Sequence, residues 1–184
     1  MTEQTPEIFQ TLPIGPYDII LADPPWPIRK SRGKIRHGSS PEDHYNVLSF
    51  KDLETLKVGS VAADNSHLCL WVVQCFMDRC INIGESWGFK YSTILFTWDK
   101  QRTMMGYYTH PQHELCLLFR KGQPTKIERG SVTERQLITE KRTAHSKKTT
   151  QAHERIERLW PTARRLELFA RTPRDGWTTW GNEL

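Results

Sequence analysis

Four consecutive residues carry the clearest chemistry in the chain: Asp23, Pro24, Pro25 and Trp26. Each proline fixes φ and removes a backbone donor, so the segment holds a rigid, extended shape that no neighbouring strand can pair with. Its backbone carbonyls are left to accept hydrogen bonds from a ligand. Asp23 adds a second acceptor in front of them, and Trp26 adds a flat apolar face on which a planar base can stack. This set suits an exocyclic amine on a heteroaromatic ring. The lone pair of such a nitrogen is delocalised into the ring, which makes it a poor nucleophile. Acceptors on its two hydrogens favour the pyramidal form that attacks, and they disperse the positive charge that develops. On this reading Asp23, Pro24, Pro25 and Trp26 are the catalytic residues, and prior deprotonation of the amine is not required.

Two basic blocks suggest what delivers the base. Arg29, Lys30, Arg32, Lys34 and Arg36 follow the tetrapeptide within ten residues, and residues 120–148 hold nine lysines and arginines against three acids. Acidic or near-neutral stretches separate them, so the net charge of +5 understates the clustering. Such asymmetry points to a polyanionic partner, with nucleic acid the natural candidate. A base taken from a duplex must be unstacked and flipped at a cost of a few kcal/mol, and cations at the rim offset part of it. The first block is therefore assigned to substrate binding. Tyr45, in the adjoining segment, is placed to contact the cofactor or the extruded base.

His110, His113 and Glu114 raise the question of a metal. They fall at the start of an expected strand, where successive side chains point to opposite faces, so His113 and Glu114 do not converge on one ion. No metal is expected. Cys69, Cys75, Cys80 and Cys116 fit neither a C-x-x-C pair nor a zinc-ribbon spacing and read as free, mostly buried thiols.

These residues need a scaffold that brings them together. Tyr17 to Ala22 is a short, nearly continuous apolar run, as in a strand buried on both faces. Ser49 caps a helix with Phe50, Leu53 and Leu56 on one side and Gly59 as its stop. His67 to Val73 reads as a second buried strand, Cys75 to Trp87 as a helix closed by Gly88, and Tyr91 to Trp98 and Glu114 to Arg120 as two more strands. Thr150 to Leu159 is a helix, Leu166 to Ala170 a buried strand, and Trp177 to Trp180 a short final extension. Residues 121–149 carry no clear element. Strands alternating with helices predict an α/β domain with a mostly parallel sheet flanked by helices, whose ligands sit beyond the carboxyl ends of the strands. With 184 residues, a single domain over 1–184 is expected, with no room for a separate recognition domain.

The stretch from Ile20 to Trp26 resembles the signature of the MT-A70-like adenine-N(6) methyltransferases, of the bacterial and phage type. Further blocks resemble the family's in the same order: His67–Trp71, Trp87–Lys90, His113–Cys116, Ile156–Leu159, Leu166–Arg171 and Gly176–Glu183. The resemblance implies a Rossmann-like fold that uses S-adenosyl-L-methionine, with permuted motif order: the catalytic tetrapeptide comes first and the cofactor strand last. It places cofactor contacts at Asp23, Lys148, Arg171, Asn182 and Glu183, and polar contacts near the reacting base at His113 and Glu114. Physically, Asn182 and Glu183 can bond adenine or ribose edges, Phe169 can pack on the adenine, and Arg171 can bind a ribose hydroxyl or a carboxylate. Two positions depart from the pattern. Ala170 stands where the eukaryotic enzymes carry glycine, and Thr149–Thr150 replace a proline-acid pair.

The functional expectation is methyl transfer to the exocyclic amine of adenine in DNA, with RNA as the alternative substrate. A catalytically silent nucleic-acid-binding subunit on the same fold is the competing class; the intact tetrapeptide argues against it. The basic blocks argue against a small-molecule amine as substrate. The longest strongly apolar stretch, Leu68 to Val73, is far short of the roughly 20 residues needed to cross a bilayer. Met1 to Gln10 has no basic start and no apolar core, so a cytoplasmic location in a bacterial or phage-infected cell is expected.

Overall fold

The computed structural model describes residues 11–27, 48–104, 106, 108–141 and 148–182. Among these, seven strands form one sheet: β1 (Tyr17–Ala22), β2 (Ala62–Val72), β3 (Lys90–Asp99), β4 (His113–Lys121), β5 (Leu137–Thr139), β6 (Arg165–Leu168) and β7 (Trp177–Trp180). Their order across the sheet is β5-β3-β4-β2-β1-β6-β7. The pairs β1–β2, β1–β6, β6–β7 and β3–β5 are parallel, while β4 is antiparallel to both neighbours, β2 and β3. Six strands thus share a direction and only β4 is reversed. The architecture is the mostly parallel α/β sheet expected.

The apolar runs are continuous because both faces of the central strands are covered. Ile20, Ala22, Leu68, Leu70, Leu166 and Leu168 belong to one core, with Leu53 of α1 (Phe50–Thr55) and Cys80 and Ile83 of α2 (Met77–Ser86). Their chain neighbours Ile19, Leu21, Cys69 and Trp71 belong to a second core. That core is closed by Ala152, Ile156 and Leu159 of α3 (Thr150–Leu159), whose spacings of four and three give one apolar stripe.

Local chemistry sets the element ends. Ser49 caps α1 with a reciprocal box: Asp52 N–H donates to Ser49 Oγ at 3.1 Å, and Ser49 N–H donates to Asp52 Oδ2 at 3.0 Å. The helix ends at Thr55 rather than running to Gly59, because Leu56 is already extended. Gly59 instead lies in a 3-10 turn against the end of α2, where a Cβ would sit 2.4 Å from the Trp87 carbonyl oxygen. Its small size answers a close approach, not a helix stop. α2 starts at Met77, after a 3-10 turn over Gln74–Phe76, rather than at Cys75. β2 begins at Ala62, five residues before His67. β6 ends at Leu168 rather than Ala170, since Phe169 turns to φ 62°. β5 falls inside the stretch that carried no clear element. Of its three residues only Ile138 is buried, too little for an apolar pattern. All four cysteines are free; Cys69, Cys80 and Cys116 are buried and Cys75 is exposed.

The reversal of β4 decides which residues meet at one edge of the sheet. Asp99 at the end of β3 pairs with His113, Trp98 with Glu114, and Val72 with Leu115. The amino end of β4 therefore shares one sheet edge with the carboxyl ends of the six parallel strands. Asp23, Lys100, His113, Glu114, Glu140, Phe169 and Asn182, each at or just beyond a strand terminus, all fall along that edge.

Candidate active site

Asp23 leaves β1 into a turn that its own prolines set. Trp26 N–H donates to the Pro24 carbonyl at 2.8 Å, closing a three-residue turn. The Pro24 carbonyl is thus not wholly free, as the sequence implied; one lone pair is engaged and the other remains for a ligand. The Trp26 indole Nε1 donates to the Trp71 carbonyl at 3.1 Å, and its ring packs against Phe50 with centroids 6.1 Å apart. At 8% exposure this ring anchors the tetrapeptide to the end of β2 and offers little face for a base to stack on. The expected stacking role of Trp26 gives way to a structural one.

Among the described residues, Lys148, Lys100 and a second carboxylate, Glu114, are linked to Asp23. Lys148 Nζ is 2.7 Å from Asp23 Oδ2 and 3.3 Å from Glu114 Oε2. Lys100 Nζ, almost wholly buried, is 3.0 Å from Glu114 Oε1 and 2.9 Å from Met104 Sδ. The Lys148 ammonium also lies 5.7 Å from the centroid of the Trp71 ring. The four side chains form the chain Lys100–Glu114–Lys148–Asp23, two positive and two negative. It brings together the ends of β1, β3 and β4 and the start of α3.

Position in this chain sets proton affinity. Burial pushes the Asp23 carboxyl above its ordinary value, against the pull of Lys148, which lowers it; Glu114 adds to the rise and Arg171 opposes it. For Glu114 burial acts upward too, but Lys148 and Lys100 together outweigh it and hold that carboxyl low. Burial works against the charged form of Lys148, yet Asp23 and Glu114 overcome it and raise that ammonium. Asp23 is therefore the better proton acceptor of the two carboxylates. Lys148 and Glu114 keep their charges.

The other expected site residues divide. Phe169 follows β6 in the left-handed region, with its ring edge-on to Trp180 at 5.6 Å. Strain of this kind in a non-glycine residue is held by its surroundings and clusters at functional sites. Arg171 is exposed, and its charge reaches Asp23. Asn182 is exposed just beyond β7. At Ala170 the backbone lies close to the chain across the turn. Ala170 N–H donates to the Trp180 carbonyl at 3.0 Å, and a Cβ on Gly181 would fall 2.2 Å from the Ala170 carbonyl oxygen. His113 is exposed at the start of β4, its carbonyl accepting from Gln74 Nε2 at 3.0 Å. Arg29, Lys30, Arg32, Lys34, Arg36, Tyr45 and Glu183 lie outside the described residues. Among the described residues there is no group of three or more His, Cys, Asp or Glu that could hold a metal, and no helix long and apolar enough to cross a membrane.

Two contributors escape a reading of the sequence. Lys100 is the residue directly after β3, a place the strand-end rule marks, but it stands alone with no motif around it. Glu140, directly after β5, is hidden with that strand. Its carboxylate accepts from the hydroxyl of Thr149 and from Gln151 Nε2 at 3.1 Å, at the start of α3.

An edge that joins Asp23, Lys148 and Glu114 beside the ends of β6 and β7 fits S-adenosylmethionine. The cofactor's carboxylate suits Lys148 or Arg171, its adenine suits Phe169 and its hydroxyls suit Asn182. Comparison with known proteins agrees in class. The MT-A70 family model matches residues 17–183. The chain is 37% identical to the Type II methyltransferase M.MunI of a Mycoplasma species, over 97% of this chain and 82% of that protein. It is 30% identical to the N(6)-adenosine-methyltransferase MT-A70-like protein of Arabidopsis thaliana and 28% identical to the human N(6)-adenosine-methyltransferase catalytic subunit METTL3. Each of these two matches covers 93% of this chain but only 24% and 29% of the relative. The chain thus spans most of the Mycoplasma protein and less than a third of the plant and human ones.

Proposed function

The chain belongs to the MT-A70 family of methyltransferases, and on that premise we propose that it transfers a methyl group from S-adenosylmethionine to the exocyclic N6 amine of adenine in DNA. The observation that carries the proposal is the placement of Asp23. It leaves the carboxyl end of β1 in a proline-fixed turn, its carboxylate 2.7 Å from the Lys148 ammonium. The cofactor supplies an electrophilic methyl group on a sulfonium. The chain's own residues prepare the nucleophile. Asp23 and the second lone pair of the Pro24 carbonyl accept the two N6 hydrogens, which turns the nitrogen lone pair out of the ring plane. As positive charge builds on N6, the Asp23 carboxylate stabilises it and then takes the surplus proton. Burial supports that role by making Asp23 more basic than an exposed aspartate. Lys148 keeps it ionised before the base arrives.

Lys148 and Arg171 are proposed to hold the cofactor's carboxylate end, with Phe169, Asn182 and Glu183 at its adenosine end. Arg29, Lys30, Arg32, Lys34, Arg36 and Tyr45 are assigned to the nucleic acid, and His113 and Glu114 to the neighbourhood of the base. DNA is preferred because the Mycoplasma relative, of which this chain spans most, is a type II methyltransferase. The adenosine methyltransferases among the relatives support RNA as the second reading.

Asp23→Ala tests the chemistry. Cofactor binding should stay within about tenfold while transfer falls by roughly 10² to 10⁴, the scale of a positioned acid-base group. Asp23→Asn keeps one acceptor oxygen and should retain more activity than Asp23→Ala. Unchanged turnover in Asp23→Ala removes this residue from the reaction.

A further inference from the structure

The ammonium that faces Asp23 belongs to the residue just before a helix, and its position depends on how that helix begins. Thr149 is the N-cap of α3 and only 3% exposed. Its hydroxyl accepts from Gln151 N–H at 3.2 Å and donates to Glu140 Oε2. The same carboxylate oxygen accepts from Gln151 Nε2 at 3.1 Å, so one oxygen holds both the cap and the first turn. Glu140 is itself fixed to the sheet on both sides of its peptide. Its N–H donates to the Asp99 carbonyl at 3.2 Å, and its carbonyl accepts from Trp98 Nε1 at 2.9 Å. A direct path therefore runs from β3 through Glu140 and Thr149 to Lys148.

We propose that Glu140 is a positioning residue for methyl transfer, which through the Thr149 hydroxyl fixes Lys148 against Asp23 and Glu114. The proposal deepens the methyltransferase reading and rests on it for its kinetic arm. A carboxylate near the N-terminus of a helix has a favourable field there, but a merely stabilising role predicts no effect on the ionisation of Asp23. Positioning does. Among the described residues, the charged groups acting on Asp23 are Lys148, Glu114 and Arg171, with Lys100 behind Glu114. Of these, only Lys148 hangs from the segment that Glu140 holds. When it is loosened, Asp23 loses the cation that lowers its proton affinity.

The test compares the wild-type chain with Glu140→Ala, Glu140→Gln and Thr149→Val. The first readout is the titration of the Asp23 carboxyl carbon by NMR on protein labelled at aspartate, assigned with Asp23→Asn; the second is kcat/KM against pH. Glu140→Ala and Thr149→Val should each move the Asp23 titration to higher pH. Each should lower kcat/KM by about ten- to a hundredfold, the range for a small displacement of a positioned group. Glu140→Gln keeps an oxygen that accepts from both donors and should stay within about threefold of the wild type with the titration unmoved. Three results overturn the proposal: an unmoved titration in Thr149→Val, an unmoved titration in a folded Glu140→Ala, or equal damage from Glu140→Gln and Glu140→Ala. A wild-type chain that transfers no methyl group removes the methyltransferase reading, while the NMR titration still decides the role of Glu140.

Discussion

Replacing Lys148 with methionine keeps the length and much of the bulk of the side chain and removes one charge from the centre of the Lys100–Glu114–Lys148–Asp23 chain. At 2.7 Å and an effective dielectric of about 20, the Lys148–Asp23 attraction is roughly 6 kcal/mol. Not all of it is lost. The Asp23 side chain is 26% exposed, so water takes up part of the field. A net change of about 2 kcal/mol at Asp23 is then reasonable, which is roughly thirtyfold in proton affinity. The sign follows from the roles. Lys148 lowers the Asp23 proton affinity, so its removal raises it, and only ionised Asp23 can take the surplus proton from the methylated amine. The acid limb of kcat/KM should move to higher pH by more than about one unit. Lys148→Arg, which keeps the charge, should leave the limb close to that of the wild type. The assay is transfer of labelled methyl to duplex DNA between about pH 4.5 and 9. The height of the plateau will fall too if Lys148 also touches the cofactor, but the position of the limb is independent of that height. A limb that stays in place, or moves to lower pH, refutes the electrostatic argument for the whole site.

Other consequences can be checked separately. Lys100→Met leaves Glu114 facing inward with one cation instead of two, and should lower stability by about 2 kcal/mol in urea unfolding, below the 3–5 typical of a fully buried pair because the Glu114 side chain is 30% exposed. Native stability within a few tenths of the wild type means that Lys100 does not compensate Glu114. If Arg29, Lys30, Arg32, Lys34 and Arg36 neutralise five phosphates, log affinity should fall against log salt with a slope of roughly −4.5 on duplex DNA, or about −3.5 on a single strand. A slope near zero removes nucleic acid as the partner of that block.

Much of this fold can be read before any coordinates exist, because its central strands are buried on both faces and say so in unbroken apolar runs. Tyr17–Ala22 and Thr150–Leu159 match their elements residue for residue. Failures have physical causes. β5 buries one side chain, and a three-residue strand has no periodicity to find. Gly59 and Phe169 mislead a sequence reading because tertiary contact sets their conformation: one yields space to the Trp87 carbonyl, the other turns the chain between β6 and β7. At the site, Asp23 and its prolines are legible because the chemistry and the rigidity lie in consecutive residues. The union of Asp23, Glu114 and Lys148 is not legible from spacing, since it depends on β4 running against the other strands. That reversal puts Glu114 at the same edge as Asp23. Lys100 and Glu140 act through single contacts across the sheet, and a lone charged residue after a strand has no pattern to distinguish it from a solvated one. Trp26 shows the converse error, in which residue type suggests a stacking face and packing consumes it.

Whether Asp23 and its turn grip an adenine amine is tested most directly by transfer of tritium from methyl-labelled S-adenosylmethionine to matched DNA and RNA oligomers, followed by separation of the nucleosides. The predicted result is label in N6-methyldeoxyadenosine from the DNA. Label confined to the RNA would overturn the choice of DNA, and label on a base other than adenine, or on neither polymer, would contradict the role given to Asp23 and its turn.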